Sequence, residues 1–250
     1  MPICTKRGNQ EMILQADVKG LEIAVAAWLA QDQTLIQELH DKVDIHGENQ
    51  KAFGLPTRLI AKVLGFRILY GGSAYAFAQD PAFKEVSTDK KYWQKAIDAY
   101  YKKYHGIEKW HRNLVYEATT TGRVLCPTGR FFPFKPEFKN GEMQWHVQAI
   151  KNYPVQGTGA DLVSLARVEF YRMLRITKLN VKPVATVHDS IVVDCHNSEI
   201  QKCAKLLQVS IERIPALFKR RFGSDVNVPF TSEITAGPNF KDLNEIEITI

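Results

Sequence analysis

Strand-like runs in this chain lie near its two ends, and the stretch between them reads mostly as helix. Residues 11–17, EMILQAD, make a short apolar run that ends in an acid. Its counterparts come much later, as VKPVATV (181–187), IVVDC (191–195) and NVPFTSEI (227–234). A sheet built from these runs has to join segments distant in sequence, with helices inserted between them, so the expected fold class is α+β. One hairpin-like stretch, TGRVLCPTGRFFPF (121–134), interrupts the helical middle with its Pro and Gly punctuation.

Helical spacing places Leu21, Val25, Trp28 and Leu29 on one helix within residues 20–32. A second helix over 57–70 is opened by Pro56-Thr57 and stopped by Gly71-Gly72. Residues 89–104 and 107–119 read as two more, separated by His105-Gly106. A long helix from about 145 to 177 is expected to break near Pro154. Residues 198–222 read as a single amphipathic helix ending in Lys219, Arg220 and Arg221, and a polar tail follows the last strand.

With 250 residues, 45% hydrophobic and 24% charged, the chain has the composition of a folded globular protein rather than a disordered one. A net charge of +6 is modest, and it points to nucleic acid only where basic residues border a site. Cys4, Cys126, Cys195 and Cys203 form no C-x-x-C pair, which suits a reducing compartment. The longest apolar stretch, Leu21 to Ala30, contains Glu22 and falls short of the roughly 20 residues a membrane span needs. The first ten residues, MPICTKRGNQ, lack the apolar core of a signal peptide. The expectation is the cytoplasm, a host's if the chain is viral, with no membrane.

Two acids are tied to strands. Asp17 ends the first run, and Asp189 lies between the runs 181–187 and 191–195. If these strands pair, the two carboxylates meet at one edge of the sheet. Phosphoryl transfer uses such a pair, because hard oxygen ligands hold two magnesium ions about 4 Å apart. Taken singly, each Asp reads first as a turn or cap residue, and the pair needs support from elsewhere in the chain.

In RLIAKVLGFRILYG (58–71), Arg58, Lys62, Phe66 and Tyr70 recur every fourth position and form one stripe on a helix. Two cations followed by two aromatics match the order of a nucleoside triphosphate, anionic tail first and flat base last. A solvated basic edge beside two core aromatics fits the same spacing.

R-x3-K-x3-F-x3-YG resembles the nucleotide-binding helix of family A (DNA polymerase I-like) DNA polymerases. ADVKGLEIAVAAWLAQD (16–32) resembles that family's first catalytic motif, D-x-S-x-x-E-L-R, and VATVHDSIVV (184–193) its second, V-H-D-E. DIH (44–46), KNYPVQGTGAD (151–161) and VPFTSEITAGPNFKDL (228–243) resemble three further segments of the family, in the family's order. These matches cover nearly the whole chain.

The resemblance implies a polymerase palm, an antiparallel sheet with flanking helices, at about residues 1–32 and 122–250, with helical fingers inserted over 33–121. It implies that Asp17 and Asp189, with the carbonyl of Val18, bind two Mg2+ ions, with Mn2+ the candidate substitute. Arg58 and Lys62 would hold the triphosphate of a dNTP, and Lys62 would also protonate the departing pyrophosphate. Phe66 would pack on the incoming sugar and base, His46 would contact the triphosphate, and Glu22 would exclude a ribose 2′-hydroxyl. Tyr70 and Gly71 would sit beside the template base. Asn152 and Gln156 would reach the minor groove of primer–template DNA, whose acceptors are common to correct pairs, and His188 would contact the primer terminus.

This sequence departs from the family at Ser190, where Glu is usual, and at Lys19, Ala24 and Gln148, where Ser, Arg and Arg are common. The expected consequence of Ser190 is weaker metal organisation without loss of activity, and the drift suits a viral or phage-like replication protein. The family's helical thumb, and commonly an exonuclease domain, precede the first motif, yet sixteen residues precede Asp17. The expectation is therefore a naturally split polymerase rather than an engineered fragment. A second chain would carry the thumb and possible exonuclease, docked on apolar surface of strand 11–17 and the Trp28 helix. Two other readings are a single-subunit RNA polymerase-like enzyme, against which Glu22 and Phe66 (rather than Tyr) speak, and a non-catalytic DNA-binding or assembly subunit.

Overall fold

The computed structural model describes residues 11–139 and 141–249. Cys4 and the rest of the first ten residues lie outside them. In chain order the elements are β1 (Glu11–Val18), α1 (Leu21–Ala30), α2 (Gln33–His40), α3 (Ile45–Ala52), α4 (Arg58–Leu69), α5 (Ala74–Gln79), α6 (Lys90–Lys103) and α7 (His105–Thr121). The hairpins β2 (Arg123–Leu125) with β3 (Phe131–Pro133) and β4 (Glu137–Lys139) with β5 (Glu142–Gln144) follow. Then come α8 (Val147–Thr177), β6 (Val181–Val187), β7 (Ser190–His196), α9 (Ile200–Glu212), α10 (Ile214–Phe222), β8 (Ser232–Gly237) and β9 (Asn244–Glu245). The chain forms two compact units, one of residues up to Leu21 with those from Gly159 onward, the other Glu22–Thr158.

The first unit is built on a five-stranded antiparallel sheet in the order β6-β7-β1-β8-β9. The early strand therefore lies in the middle of strands made much later. On β1 every second residue (Leu14, Ala16, Val18) is buried, the period-two pattern of a strand with one face on the core. β7 is buried along most of its length, from Ser190 to Cys195. α9 packs on β1, β7 and β8 through a face that includes Cys203, Ala204, Leu207 and Ile211. β6 is an edge strand, and its register shifts between Pro183 and Ala185, where a residue without an N–H interrupts the ladder.

Three expectations need correction. α8 runs unbroken through Pro154, because one missing N–H costs one helical bond while buried Ile150, Val155 and Leu162 anchor the helix on both sides. The helix expected over 198–222 is two, since Pro215 sits in the first turn of α10, where a proline is tolerated but a continuing helix is not. The last long strand begins at Ser232, beyond Pro229, and extends to Gly237. Residues 33–52, which carried no assignment, form α2 and α3, and the tail contributes β9.

The apolar docking surface expected on strand 11–17 and the Trp28 helix is also absent. β1 has strands on both sides, and Ala24, Val25, Ala26, Ala27 and Trp28 are all buried.

In the helical unit, Asp32 is fully buried and answered by three amides. It caps α2 through Leu35 (2.9 Å) and accepts from Gly106 (2.7 Å) and Ile107 (3.2 Å) at the start of α7. Residue 106 must be glycine, because a Cβ there would lie 2.7 Å from the Asp32 Cα. Phe77, Phe83 and Trp93 form a buried aromatic cluster with ring centroids 5.0–5.5 Å apart. A polar knot of Glu38, Asn49, Lys103 and Tyr104 ties α2, α3 and α6 together, with Lys103 Nζ 2.7 Å from Glu38 and 2.7 Å from Asn49.

Candidate functional site

The residues singled out in the sequence fall into sets, each within one unit. The first is at one end of the five-stranded sheet. Pairing of β1 with β7 puts Asp17 opposite Ser190, next in chain to Asp189, and pairing with β8 puts Asp17 opposite Glu233. The Val18 amide donates to the Asp189 carbonyl (3.1 Å), pinning the β6–β7 turn against the end of β1. That turn has two residues, His188 and Asp189, and His188 takes φ 53°, the left-handed backbone that a two-residue hairpin asks of its first central residue. A non-glycine residue in that region carries strain, here located beside the acid.

Electrostatics at this end are unbalanced. Burial, and then the negative charges of Asp189 and Glu233, push the Asp17 carboxyl above its ordinary value, with Gln15 pulling the other way. Gln15 donates from Nε2 to both carboxylate oxygens at 3.2 and 3.1 Å. Gln15 and Asp17 are two apart on a strand and so share a face, which is how the sequence could have revealed this partner. Glu233 escaped the sequence reading because strand register joins it to Asp17. Lys19 lies 3.5 Å from Glu233 and 3.9 Å from Glu245. Ser190 is buried, and its hydroxyl donates inward to the Val187 carbonyl at 2.8 Å, so it offers nothing to a ligand.

No group of three or more His, Cys, Asp or Glu among the described residues is arranged as a metal cage. A carboxylate whose proton affinity is raised by burial and by a neighbouring acid instead suits a hard cation that completes its shell with water and phosphate oxygens, as Mg2+ does.

The second set lies around α4, which Thr57 caps by accepting from the Ile60 amide (3.2 Å). Ala61, Leu64 and Ile68 bury one face of the helix, and Arg58 and Lys62 stay exposed on another. Arg58 is gripped by Asp44, with Nε to Oδ1 at 3.0 Å, Nε to Oδ2 at 2.8 Å and Nη2 to Oδ1 at 2.8 Å. His46 stands beside these groups, its ring centroid 5.9 Å from that of Phe66. Burial, then the charges of Arg58 and Lys62, hold its pKa below the usual imidazole value. Arg58, Lys62, His46 and Phe66 thus form one basic cluster with an aromatic edge. The sequence reading took His46 from the DIH triplet and missed Asp44, two residues earlier.

At the C-terminal end of α4, Gln156 Nε2 donates to the Tyr70 hydroxyl at 2.7 Å. Burial, with Glu22 nearby, pushes that hydroxyl up to about 12. Gly71 takes φ 80° and lies against Gln148 and Lys151, where a Cβ would come 3.0 Å from Lys151 Cδ. Tyr70 and Asn152 line a pocket of about 490 Å3 together with Arg67, Phe77, Gln148 and Tyr153.

The model of DNA polymerase family A matches residues 3–242. The chain is 26% identical over 239 residues to the DNA polymerase I of Caldicellulosiruptor bescii, covering 92% of this chain and 26% of that one. It is 26% identical over 253 residues to the DNA polymerase of Bacillus phage SP01, covering 96% of this chain and 27% of the other. Its fold is similar to the POL domain of Pol1 from M. smegmatis, solved with DNA primer-template and dNTP. The TM-score is 0.78 at 19% identity, over 94% of this chain and 41% of that one. The chain spans about a quarter of the length of these curated relatives. A family match over nearly the whole sequence establishes that the chain belongs to DNA polymerase family A.

Proposed function

We propose that this chain performs template-directed DNA synthesis, the attack of a primer 3′-hydroxyl on the α-phosphate of a dNTP, as the catalytic part of a larger polymerase. The observation that carries the reading is the strand register that sets Asp17 beside Asp189, whose negative charge adds to burial in raising the Asp17 carboxyl. Asp17 and Asp189, with the Val18 carbonyl, would hold two Mg2+ ions. When bound, the metal supplies activation of the attacking hydroxyl and neutralisation of charge on the leaving pyrophosphate.

The chain's own groups do the rest. Arg58 and Lys62 bind the triphosphate, and Lys62 donates a proton to pyrophosphate as it leaves. His46 lies against the same phosphates, and Phe66 offers its face to sugar and base. Glu22 excludes the ribose hydroxyl, Tyr70 and Gly71 check the template base, Asn152 and Gln156 read the minor groove, and His188 steadies the primer end. The sheet-bearing unit would be the palm, and the α4-bearing unit would include the fingers.

We assign thumb contacts to a second polymerase chain, which would supply most of the phosphate contacts that hold duplex DNA. No helix among the described residues is long and apolar enough to cross a membrane, and we take the site of action to be the cytoplasm. The test is primer extension with Mg2+ and four dNTPs, by the chain alone and with the neighbouring polymerase-like product of its source. Extension that needs the second chain and is lost on Asp189→Ala supports a split enzyme. Binding of DNA with no extension in any mixture overturns the catalytic reading in favour of a DNA-binding subunit.

A further inference from the structure

Asp44 stands at the N-cap of α3, where an aspartate ordinarily accepts from the amide of the third helical residue. It makes no cap hydrogen bond of normal geometry. Its carboxylate is turned onto Arg58, which meets it with three short contacts of 2.8–3.0 Å. The third helical residue is Gly47, and a Cβ there would lie 2.5 Å from Asp44 Oδ2. The carboxylate therefore rests over a residue that has room for it because it lacks a side chain, with the Gly47 amide close enough to help hold its proton affinity down.

We propose that Asp44 is a resident stand-in for the nucleotide's phosphate, holding Arg58 in the nucleotide-free chain and releasing it to the incoming triphosphate. The inference rests on reading Arg58 as a triphosphate ligand. A planar guanidinium takes carboxylate or phosphate through the same fork, so one can replace the other without moving the helix. The exchange is cheap, since the two side chains are 56% and 53% exposed and an exposed ion pair contributes little. Lys62 adds attraction for a polyanion that Asp44, with one charge, cannot match. Asp44 is not stranded on release, because the α3 N-terminus offers it an amide partner and a favourable dipole.

The test is titration calorimetry of the full chain with sodium tripolyphosphate and with dATP at low ionic strength. The variants are Asp44→Asn, Arg58→Ala and the double variant. Asn keeps the capping ability and removes the charge. Asp44→Asn should bind both ligands about three- to fivefold more tightly. The gain should shrink in high salt and vanish in the Arg58→Ala background. Equal or weaker binding by Asp44→Asn, with an unchanged melting curve, means that Asp44 merely orients Arg58 and overturns the inference. If Arg58→Ala binds as wild type does, the nucleotide reading of α4 fails and takes the inference with it. If Arg58→Ala weakens binding while Asp44→Asn does not strengthen it, only the handover falls.

Discussion

The sheet end and the α4 face handle charge in opposite ways. At the sheet end, burial first and then the like charges of Asp189 and Glu233 raise the proton affinity of Asp17. On the α4 side, Asp44 faces Arg58 and its carboxyl falls to about 2. Two aspartates with the same intrinsic acidity are thus pushed in opposite directions by their neighbours. A site left short of counter-charge waits for something from outside, whereas a pre-paired site has to exchange one partner for another. The first arrangement suits a cation, and the second suits an anion that competes.

The sharpest way to break this comparison is Asp189→Ala. Primer extension should fall by about 10³-fold or more, in line with the loss of a central electrostatic element, while the melting temperature at neutral pH should not drop. Activity within tenfold of wild type would mean that the acids are crowded for some other reason. Next in size is Asp32→Ala, which removes a fully buried aspartate from three amides. Urea denaturation should show a loss of about 2–4 kcal/mol, the reverse of what removing a crowded acid does.

A smaller effect is expected from Asp17→Asn in metal-free buffer. The folded chain binds the Asp17 proton more tightly than the unfolded chain does. Its contribution to stability is therefore highest below the ordinary value of 3.8 and falls as pH rises through the raised folded value. At neutral pH the variant should melt a few degrees higher than wild type, and the gap should close as the pH drops below about 4. Asp44 carries the opposite sign, since its contribution is present above 3.8 and lost as pH falls through about 2. A melting curve for Asp17→Asn that never rises above wild type would remove the crowding argument. The smallest effect is Ser190→Ala. The hydroxyl points to the Val187 carbonyl, so extension should change by less than about twofold.

The α+β class was legible because strand and helix periodicities differ and because the strand-like runs sat at the two ends. Asp17 and Asp189 could be singled out because each stands at the end of an apolar run, and the α4 stripe because its period lies within one helix. What escaped depends on pairing between segments. Register alone brings Glu233 opposite Asp17, and nothing near Arg58 in sequence announces Asp44 as its partner. The helix boundaries misread at Pro154 and Pro215 show that a proline's effect is set by where it falls in the helix. In the interior of a long helix with buried contacts on both sides it was accommodated, and in a first turn it marks a new start.

The central position of β1 also governs when the acid pair can exist. A strand made early has both of its neighbours, β7 and β8, made late. At about 5–20 residues per second, a ribosome makes Asp189 roughly 10–35 s after Asp17. Throughout that interval β1 has no ladder to join. The helices of residues 22–158 have mostly nearby partners and can order first, since local contacts form faster than distant ones. A nascent chain would thus hold α4 well before it holds its paired carboxylates, which come together only with the closing of the sheet.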